Sequence, residues 1–190
     1  FEIRGFNVHP GEGKDTMINA SLVAIEINNC LPSMETPRGT EDYEGFYHLI
    51  SMQGEGGEAK LNYIVRDHDK NGFEERKKTL RLIEKNLNAK WGEGTVTLKI
   101  TDQYLNMKEI VEEHMHLIDH AKKACEAAGV APLILPIRGG TDGCQLSFKG
   151  LPCPNLGTGG HAFHGPYEHI SVEGMEKSVE LLLALIQEYT

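Results

Sequence analysis

Cysteine pairs of the kind that hold a small fold together are missing from this sequence. Its four cysteines, Cys30, Cys125, Cys144 and Cys153, lie far apart and form no C-x-x-C pair. This spacing argues against a zinc ribbon and gives no indication of a disulfide framework. Free thiols are typical of a reducing compartment, so we expect a cytoplasmic protein.

Long apolar runs and an excess of basic residues are also lacking. No apolar stretch approaches the roughly 20 residues that a membrane-spanning helix needs, so we expect no membrane partner. The 28 aspartates and glutamates outnumber the 19 lysines and arginines, and the net charge is −9. Binding of a nucleic-acid backbone needs clustered positive charge, so we expect no nucleic-acid partner. A hydrophobic share of 39% predicts a soluble globular protein, and small ligands remain open as partners.

The first part of the chain, residues 1–106, alternates strand and helix patterns. Turn-like GEGGE separates two of the strand patterns, which is typical of a hairpin, and Gly92 ends the second helix pattern. The patterns are strand 1–8, helix 17–31, strands FYHLISMQG and AKLNYIVRD, helix 71–90 and strand 95–101. This βαββαβ order predicts a ferredoxin-like domain, with a four-stranded antiparallel sheet and two helices on one face.

The remaining part, residues 107–190, predicts the end of an α/β domain. Helical patterns cover MKEIVEEH and HLIDHAKKACEAAG, a short helix begins near Asp142, and an amphipathic helix covers residues 172–189. The apolar run APLILPI between them is typical of a buried parallel strand. These elements are too few to close a doubly wound sheet, and the chain begins at Phe1 in strand-like residues. We therefore expect a piece of a longer protein whose other strands lie upstream.

The stretch GTGGHAFHGPYEH at residues 157–169 is the first candidate for chemistry. His161 and His164 are three residues apart, and Glu168 follows four residues later. A catalytic zinc needs about three N, O or S ligands and an open position, so this loop could supply one or two of them. The alternative is a histidine-containing surface loop. A second histidine tract, HMHLIDH, lacks a third ligand in helical register, and we interpret it as a solvated face.

Three other side chains are candidates for ligand contacts. Arg138 follows the apolar run, where a guanidinium can grip a carboxylate or can bind backbone carbonyls. Arg66 ends a predicted strand, where it could contact a ligand or pair with Asp67 or Asp69. His9 lies between the first strand and the first helix, where it could donate to an oxyanion or be merely solvated.

Eight motifs in order point to a family: NVHPG, MINA, EGFYHLISMQG, YIVRDHD, FEERKK, PIRGGTDG, LPCPNL and TGGHAFHGPYEH. Together they resemble the peptidase T family, cytosolic tripeptide aminopeptidases of the zinc-dependent aminoacylase and carboxypeptidase G superfamily. The resemblance runs along all 190 residues. It implies that residues 1–106 are a lid or dimerisation domain and that residues 107–190 are the C-terminal portion of a zinc-peptidase catalytic domain.

The resemblance also implies roles for individual residues. His164 matches a zinc ligand, whereas His161 matches a position where the family has other aromatic residues. His9 matches a lid histidine that polarises the scissile carbonyl, usually across a homodimer. Arg66 and Arg138 are similar to two arginines that hold the terminal carboxylate of the peptide substrate, and Asn19 is implied to assist them.

The family's other zinc ligands and its general base are absent from this chain. The family takes them from an H-x-D stretch, a bridging aspartate, a Glu-Glu pair and a further aspartate upstream of the lid. A site with two Zn²⁺ ions cannot be held by one histidine. We therefore expect a C-terminal fragment that is inactive alone. The alternatives are a related dipeptidase or N-acyl-amino-acid hydrolase, or a non-catalytic dimerisation module.

Overall fold

The chain forms two compact units in a computed structural model that describes residues 1–103 and 106–190. The first unit comprises Phe1–Asp102 together with Pro136–Gly139, and the second comprises Gln103–Leu135 together with Gly140–Thr190. Residues 104 and 105, which fall within the first predicted domain, lie outside the described residues.

An antiparallel sheet with two helices makes up the first unit. The strand order is β2-β3-β1-β4, and every neighbouring pair is antiparallel. This order confirms the ferredoxin-like arrangement predicted from the sequence. The elements are β1 (Glu2–Arg4), α1 (Ala20–Asn29), β2 (Phe46–Gly54), β3 (Glu58–Arg66), α2 (Lys70–Trp91) and β4 (Val96–Thr97).

Two strands are shorter than their sequence patterns because their partners change. After Arg4 the backbone N–H of Gly5 donates to Gly57, and Phe6 forms an isolated bridge with Ile18 instead of continuing β1. At the other edge, the N–H of Leu98 donates to the Glu84 carboxylate at 2.7 Å. A side chain thereby takes the place of a ladder partner, and β4 ends at Thr97.

The core of the first unit lies between the sheet and the two helices. Alternate strand residues point inward, and each helix contributes one apolar face. The five largest fully buried side chains are Ile3, Val23, Ile27, Leu61 and Val96. Burial of such side chains contributes about 1.5–3 kcal/mol each before the opposing loss of entropy.

Glu26 connects α1 to the end of α2. Its carboxylate accepts from Lys90 Nζ at 2.6 Å and from Trp91 Nε1 at 2.9 Å. The hydrogen bond from Lys90 lowers the pKa of Glu26 despite opposing desolvation, and the Trp91 hydrogen bond lowers it further. A depressed carboxyl pKa stabilises the fold above the unfolded-state pKa, and this contribution is lost as the pH falls through the folded-state pKa.

We therefore expect Glu26→Gln to lower the free energy of unfolding at pH 7 by up to about 1 kcal/mol. The deficit should be smaller at pH 3 than at pH 7, because protonation of the wild-type carboxylate removes the same contribution as the pH falls through the folded-state pKa. Urea denaturation at both pH values measures it. Glu75→Gln, in the exposed pair of Glu75 with Lys78, is the matched control and should change little at either pH. An equal deficit for Glu26→Gln at both pH values would contradict this account.

The second unit is mainly helical. Its helices are α3 (Lys108–Val111), α4 (His116–Ala127), α5 (Asp142–Phe148) and α6 (Val172–Gln187). Thr141 caps α5 by accepting from Cys144 N–H, and Gly129 follows α4 with a φ of +70°. A short antiparallel ribbon joins β5 (Gly160–His161) to β6 (His169–Ile170).

The buried parallel strand predicted for APLILPI is wrong for this structure. Residues 131–137 adopt no regular secondary structure, and Leu133, Ile134 and Leu135 are 77%, 64% and 63% exposed. A buried strand needs neighbours to satisfy its backbone groups, and the described residues of the second unit form only the two short strands of the ribbon.

Along the described parts of the chain, no helix has the length and apolar character needed to cross a membrane.

Candidate functional site

His9 is the N-cap of a single 3₁₀ turn, Pro10–Glu12, just beyond the bridge between Phe6 and Ile18. Its side chain is exposed, and its Nδ1 accepts from the backbone N–H of Gly11 at 3.2 Å. A neutral imidazole that accepts at Nδ1 carries its proton on Nε2. The loop therefore presents an outward N–H donor, which is the group needed to polarise a carbonyl oxygen.

Asn19 lies on the other side of the same bridge. It is the N-cap of α1, where its Oδ1 accepts from Leu22 N–H at 3.2 Å. This is the ordinary role of asparagine at a helix start, and it leaves the amide N–H₂ group as a donor. The bridge between Phe6 and Ile18 closes the loop that separates Asn19 from His9.

Arg66 is the last residue of β3 and lies directly opposite Phe46 in the ladder with β2. Opposed residues of antiparallel strands project on the same face of the sheet. One guanidinium nitrogen of Arg66 donates to the carbonyl of Val65 at 3.1 Å. The neighbouring acids have other structural roles, because Asp67 binds Arg76 and Asp69 caps α2.

Arg138 belongs to the first unit although it follows the sheet by many residues. Nη1 donates to the Thr40 carbonyl at 2.6 Å, and Nη2 donates to Thr40 Oγ1 at 2.6 Å and to the Glu44 carbonyl at 3.0 Å. The guanidinium carbon lies 4.9 Å from the centre of the Phe46 ring. Its Nε is buried, and no partner for it exists among the described residues. The contacts that are seen are therefore structural, and they leave Nε–H unused.

Phe46 is a neighbour of each arginine, of Arg66 by strand register and of Arg138 by ring contact. It is buried, it stands opposite Arg66 on the neighbouring strand, and it packs under the Arg138 guanidinium. The sequence alone does not single out Phe46, because its link to Arg138 joins positions more than ninety residues apart. The register of β2 with β3 and the return of residues 136–139 to the first unit create this arrangement.

Arg76 packs against Tyr47, the residue that follows Phe46 in β2. Its guanidinium lies 5.1 Å from the Tyr47 ring and binds both Asp67 and Glu35, with Nε to Asp67 Oδ2 at 2.9 Å. Burial would lower the pKa of Arg76, but the hydrogen bonds to Glu35 and Asp67 raise it above its ordinary value. This partly buried cluster therefore stays charged and fixes the backbone beside Phe46.

His164 lies in the second unit, in the segment between β5 and β6. Its backbone is left-handed, with φ of +64°, and its N–H donates to Glu168 Oε2 at 2.9 Å. Glu168 thus stabilises the turn, while the His164 imidazole is exposed to solvent. An exposed imidazole held on a constrained turn fits the chemistry of one metal ligand.

One histidine does not make a metal site. Within residues 1–103 and 106–190, no three His, Cys, Asp or Glu side chains are grouped so that they could hold an ion. His161, three residues from His164, instead stacks on His169 across the ribbon, with ring centres 5.3 Å apart. The described residues therefore form no complete metal site around His164.

The tract HMHLIDH is only partly the solvated face that we predicted. His116 is exposed, but the His120 ring packs edge-on against Tyr189 at 4.6 Å. The Nδ1 atom of His120 is buried and has no hydrogen-bond partner in the described part of the chain. This histidine therefore contributes to packing between α4 and the end of the chain.

Comparison with known proteins shows relatives along nearly the whole chain. The chain is 54% identical over 188 residues to the peptidase T of Clostridium perfringens, which covers 99% of this chain and 46% of that protein. It is 50% identical over 188 residues to the peptidase T of Caldanaerobacter subterraneus, with the same coverage. The chain thus spans about half the length of the curated relatives that it matches.

Solved structures give the same fold at lower sequence similarity. The aminopeptidase PepT of Bacillus cereus superposes with a TM-score of 0.69 at 20% identity, covering 98% of this chain and 50% of that one. A tripeptidase from Staphylococcus aureus gives a TM-score of 0.68 at 17% identity. The sequence profile of peptidase family M20/M25/M40 matches residues 7–188. The chain therefore belongs to peptidase family M20/M25/M40.

Proposed function

We propose that this chain is the C-terminal part of a cytoplasmic, zinc-dependent aminopeptidase that removes the N-terminal residue from tripeptides. Residues 1–106 are its lid and dimerisation domain, and residues 107–190 complete a catalytic domain that begins upstream. The isolated chain is inactive, because the general base and most zinc ligands belong to the upstream portion. Support comes from family membership and from the peptidase T relatives at 50–54% identity.

The observation that carries the proposal is that Phe46 lies opposite Arg66 in the ladder and packs under the Arg138 guanidinium. A tripeptide is distinguished from a longer peptide by the position of its terminal carboxylate. Guanidinium groups bind carboxylates through short, charge-assisted hydrogen bonds, and a hydrogen bond to a charged group contributes about 1.5–3 kcal/mol. Two arginines beside one buried ring would fix the carboxylate at a set distance from the scissile bond.

His9 and Asn19 provide polar donors in the same unit. With Nδ1 engaged by Gly11, the Nε2–H of His9 is suited to donate to the carbonyl oxygen of the scissile bond as negative charge develops on it. Asn19, whose Oδ1 is used in capping α1, has its amide N–H₂ group to assist in holding substrate.

His164 is proposed as one ligand of the zinc site. Bound zinc would supply Lewis acidity and an activated water, while this chain contributes the imidazole and the turn that Glu168 holds. The remaining ligands come from the upstream portion. The lid is proposed to form a homodimer through its sheet edge, where β2 is a nine-residue strand with only β3 beside it among the described strands.

A test compares a free tripeptide with the same tripeptide carrying a C-terminal amide, using the full-length protein. We expect Arg138→Gln to lower kcat/KM for the free acid by about 10- to 150-fold, the equivalent of 1.5–3 kcal/mol. The amide, which lacks the charge, should already be a poor substrate and should lose little more. A purely structural Arg138, which holds Thr40 and Glu44, would lower both rates by the same factor and would contradict the proposal.

Arg81→Gln is the matched control, because Arg81 is an exposed arginine of the same unit, on α2. It should leave both rates unchanged. Dipeptide and N-acyl-amino-acid substrates distinguish the related activities. A kcat/KM for either that exceeds the tripeptide value would replace the tripeptidase proposal with a dipeptidase or an acyl-amino-acid hydrolase.

A further inference from the structure

His68 connects the two chain segments that carry the arginines of the proposed substrate site. It follows Arg66 by two residues, just beyond the end of β3. Its Nε2 atom lies 3.1 Å from the carbonyl oxygen of Ile137, the residue that precedes Arg138. One hydrogen bond thus joins the end of β3 to a segment 69 residues later in the chain.

The partner of His68 determines the direction of this hydrogen bond. A carbonyl oxygen can only accept, so Nε2 of His68 has to carry the proton. The neutral Nε2–H tautomer and the imidazolium both meet this requirement. The side-chain amide of glutamine has an N–H₂ group that can make the same donation, whereas leucine has no donor.

The backbone on both sides of His68 is held by hydrogen bonds of its neighbours. Asp67, whose side chain is only 10% exposed, accepts from Arg76 Nε at 2.9 Å and from Asp69 N–H at 2.9 Å. Asp69 accepts from Gly72 N–H at 2.7 Å as the N-cap of α2. A side chain orients another group well only when its own position is fixed by its surroundings. His68 meets this condition.

The segment that accepts the hydrogen bond has little else to hold its backbone. Residues 136–139 adopt no regular secondary structure, and Ile137 is 46% exposed. Within residues 1–103 and 106–190, no hydrogen bond joins the backbone of 136–139 to another backbone group. The contact with His68 therefore restrains the main chain directly beside Arg138.

The loop before β2 contacts both the imidazole and the guanidinium. Tyr43 packs edge-on against the His68 ring, with ring centres 5.2 Å apart. The next residue, Glu44, accepts from Arg138 Nη2 at 3.0 Å through its carbonyl. His68 and Arg138 thus lie against adjacent residues of one loop, in addition to the hydrogen bond through Ile137.

We propose that His68 is a positioning residue that holds the Ile137 carbonyl and thereby orients the Arg138 guanidinium relative to Arg66. The inference rests on the proposed function, in which the two arginines bind the terminal carboxylate of a tripeptide. His68 itself does not touch the substrate and acts through Arg138. Since the carboxylate is bound before and during the chemical step, loss of this orientation raises KM and leaves kcat nearly unchanged.

The test uses the full-length protein with the free tripeptide and its C-terminal amide. His68→Leu should raise KM for the free acid by about 2- to 12-fold, the range expected for the loss of one hydrogen bond between neutral groups. The kinetic constants for the amide, which carries no carboxylate, should stay close to the wild-type values. His68→Gln should restore most of the lost affinity for the free acid, because its amide can donate to Ile137.

A double-mutant cycle shows whether His68 acts through Arg138. In the Arg138→Gln background, adding His68→Leu should change KM for the free acid by less than about twofold, because the group that His68 orients is already gone. Additive effects of the two substitutions would overturn the inference. His116→Leu is the matched control, since it removes an exposed imidazole of the second unit, and it should leave both substrates unaffected.

A merely structural His68 would impair the acid and the amide equally, and His68→Gln would not separate them; that result would overturn the inference. Unchanged KM in His68→Leu, with Arg138→Gln selective for the free acid as expected, would overturn it while leaving the proposed function intact. If Arg138→Gln treated acid and amide alike, the proposed function would fail and this inference with it. Circular dichroism reports whether His68→Leu is folded, and His68→Ala replaces it in the cycle if it is not.

Discussion

Replacing His164 by alanine in the full-length protein is expected to lower kcat/KM for tripeptides by about a thousandfold or more. Bound zinc contributes several kcal/mol to transition-state stabilisation, and each 1.36 kcal/mol corresponds to a factor of ten in rate. The His164 imidazole is exposed on a turn whose backbone is already held by Glu168, so its removal should leave the turn in place. Steady-state kinetics and zinc content by atomic absorption measure the effect.

His161→Ala is the control for this prediction. His161 is an exposed histidine three residues away in the same loop, and its ring stacks on His169 instead of standing apart. It should retain zinc content and kcat/KM close to the wild-type values. If His164→Ala kept the full zinc content and activity while His161→Ala lost them, the two histidines would have to exchange roles.

Gly5→Ala is expected to destabilise the first unit by about 3 kcal/mol, the upper part of the range for overpacking. A Cβ atom at this position would lie 2.3 Å from the Gly56 carbonyl oxygen and 2.4 Å from that of Ile18. Both are backbone atoms, so neither can rotate away. The clash is relieved only if the backbone at Gly5 moves away from Gly56 and Ile18. Chemical denaturation with fluorescence of the single Trp91 measures the loss.

Gly57→Ala is the matched substitution, because Gly57 lies in the same hairpin and a Cβ there meets nothing within 4 Å. Its stability should stay within about 0.5 kcal/mol of wild type. Gly5→Ala should also shift His9 and Asn19. His9 follows Gly5 by four residues, and Asn19 directly follows Ile18, whose carbonyl the new Cβ atom would meet. A Gly5→Ala variant as stable as Gly57→Ala would show that the backbone at this crossing moves apart easily.

The sheet of the first unit could be predicted because its signals are local. Alternating strand patterns, the GEGGE turn and the stop at Gly92 each act over a few residues, and together they give the βαββαβ order. The length of β4 could not be predicted, since it depends on Glu84 capturing the N–H of Leu98 from another element. Pattern reasoning thus identified the elements, and tertiary contacts set their ends.

The candidate site shows the same division between local and long-range information. The caps formed by His9 and Asn19 and the turn that carries His164 depend on neighbours within four residues. The neighbours of Phe46 depend on the register of β2 with β3 and on the contact of Arg138 with the first unit. Neither can be predicted from a single sequence. Arg138 could therefore be chosen as a candidate, but its neighbours could not.

The return of residues 136–139 to the first unit has a consequence for protein engineering. A first unit excised at residue 102 or 106 would lack Arg138, and with it the hydrogen bonds to Thr40 and Glu44 and the cation that covers Phe46. The ferredoxin-like unit is therefore not a portable module in sequence, although it is compact in space. If this unit is transferred to another protein, the host chain has to supply an arginine at the position of Arg138.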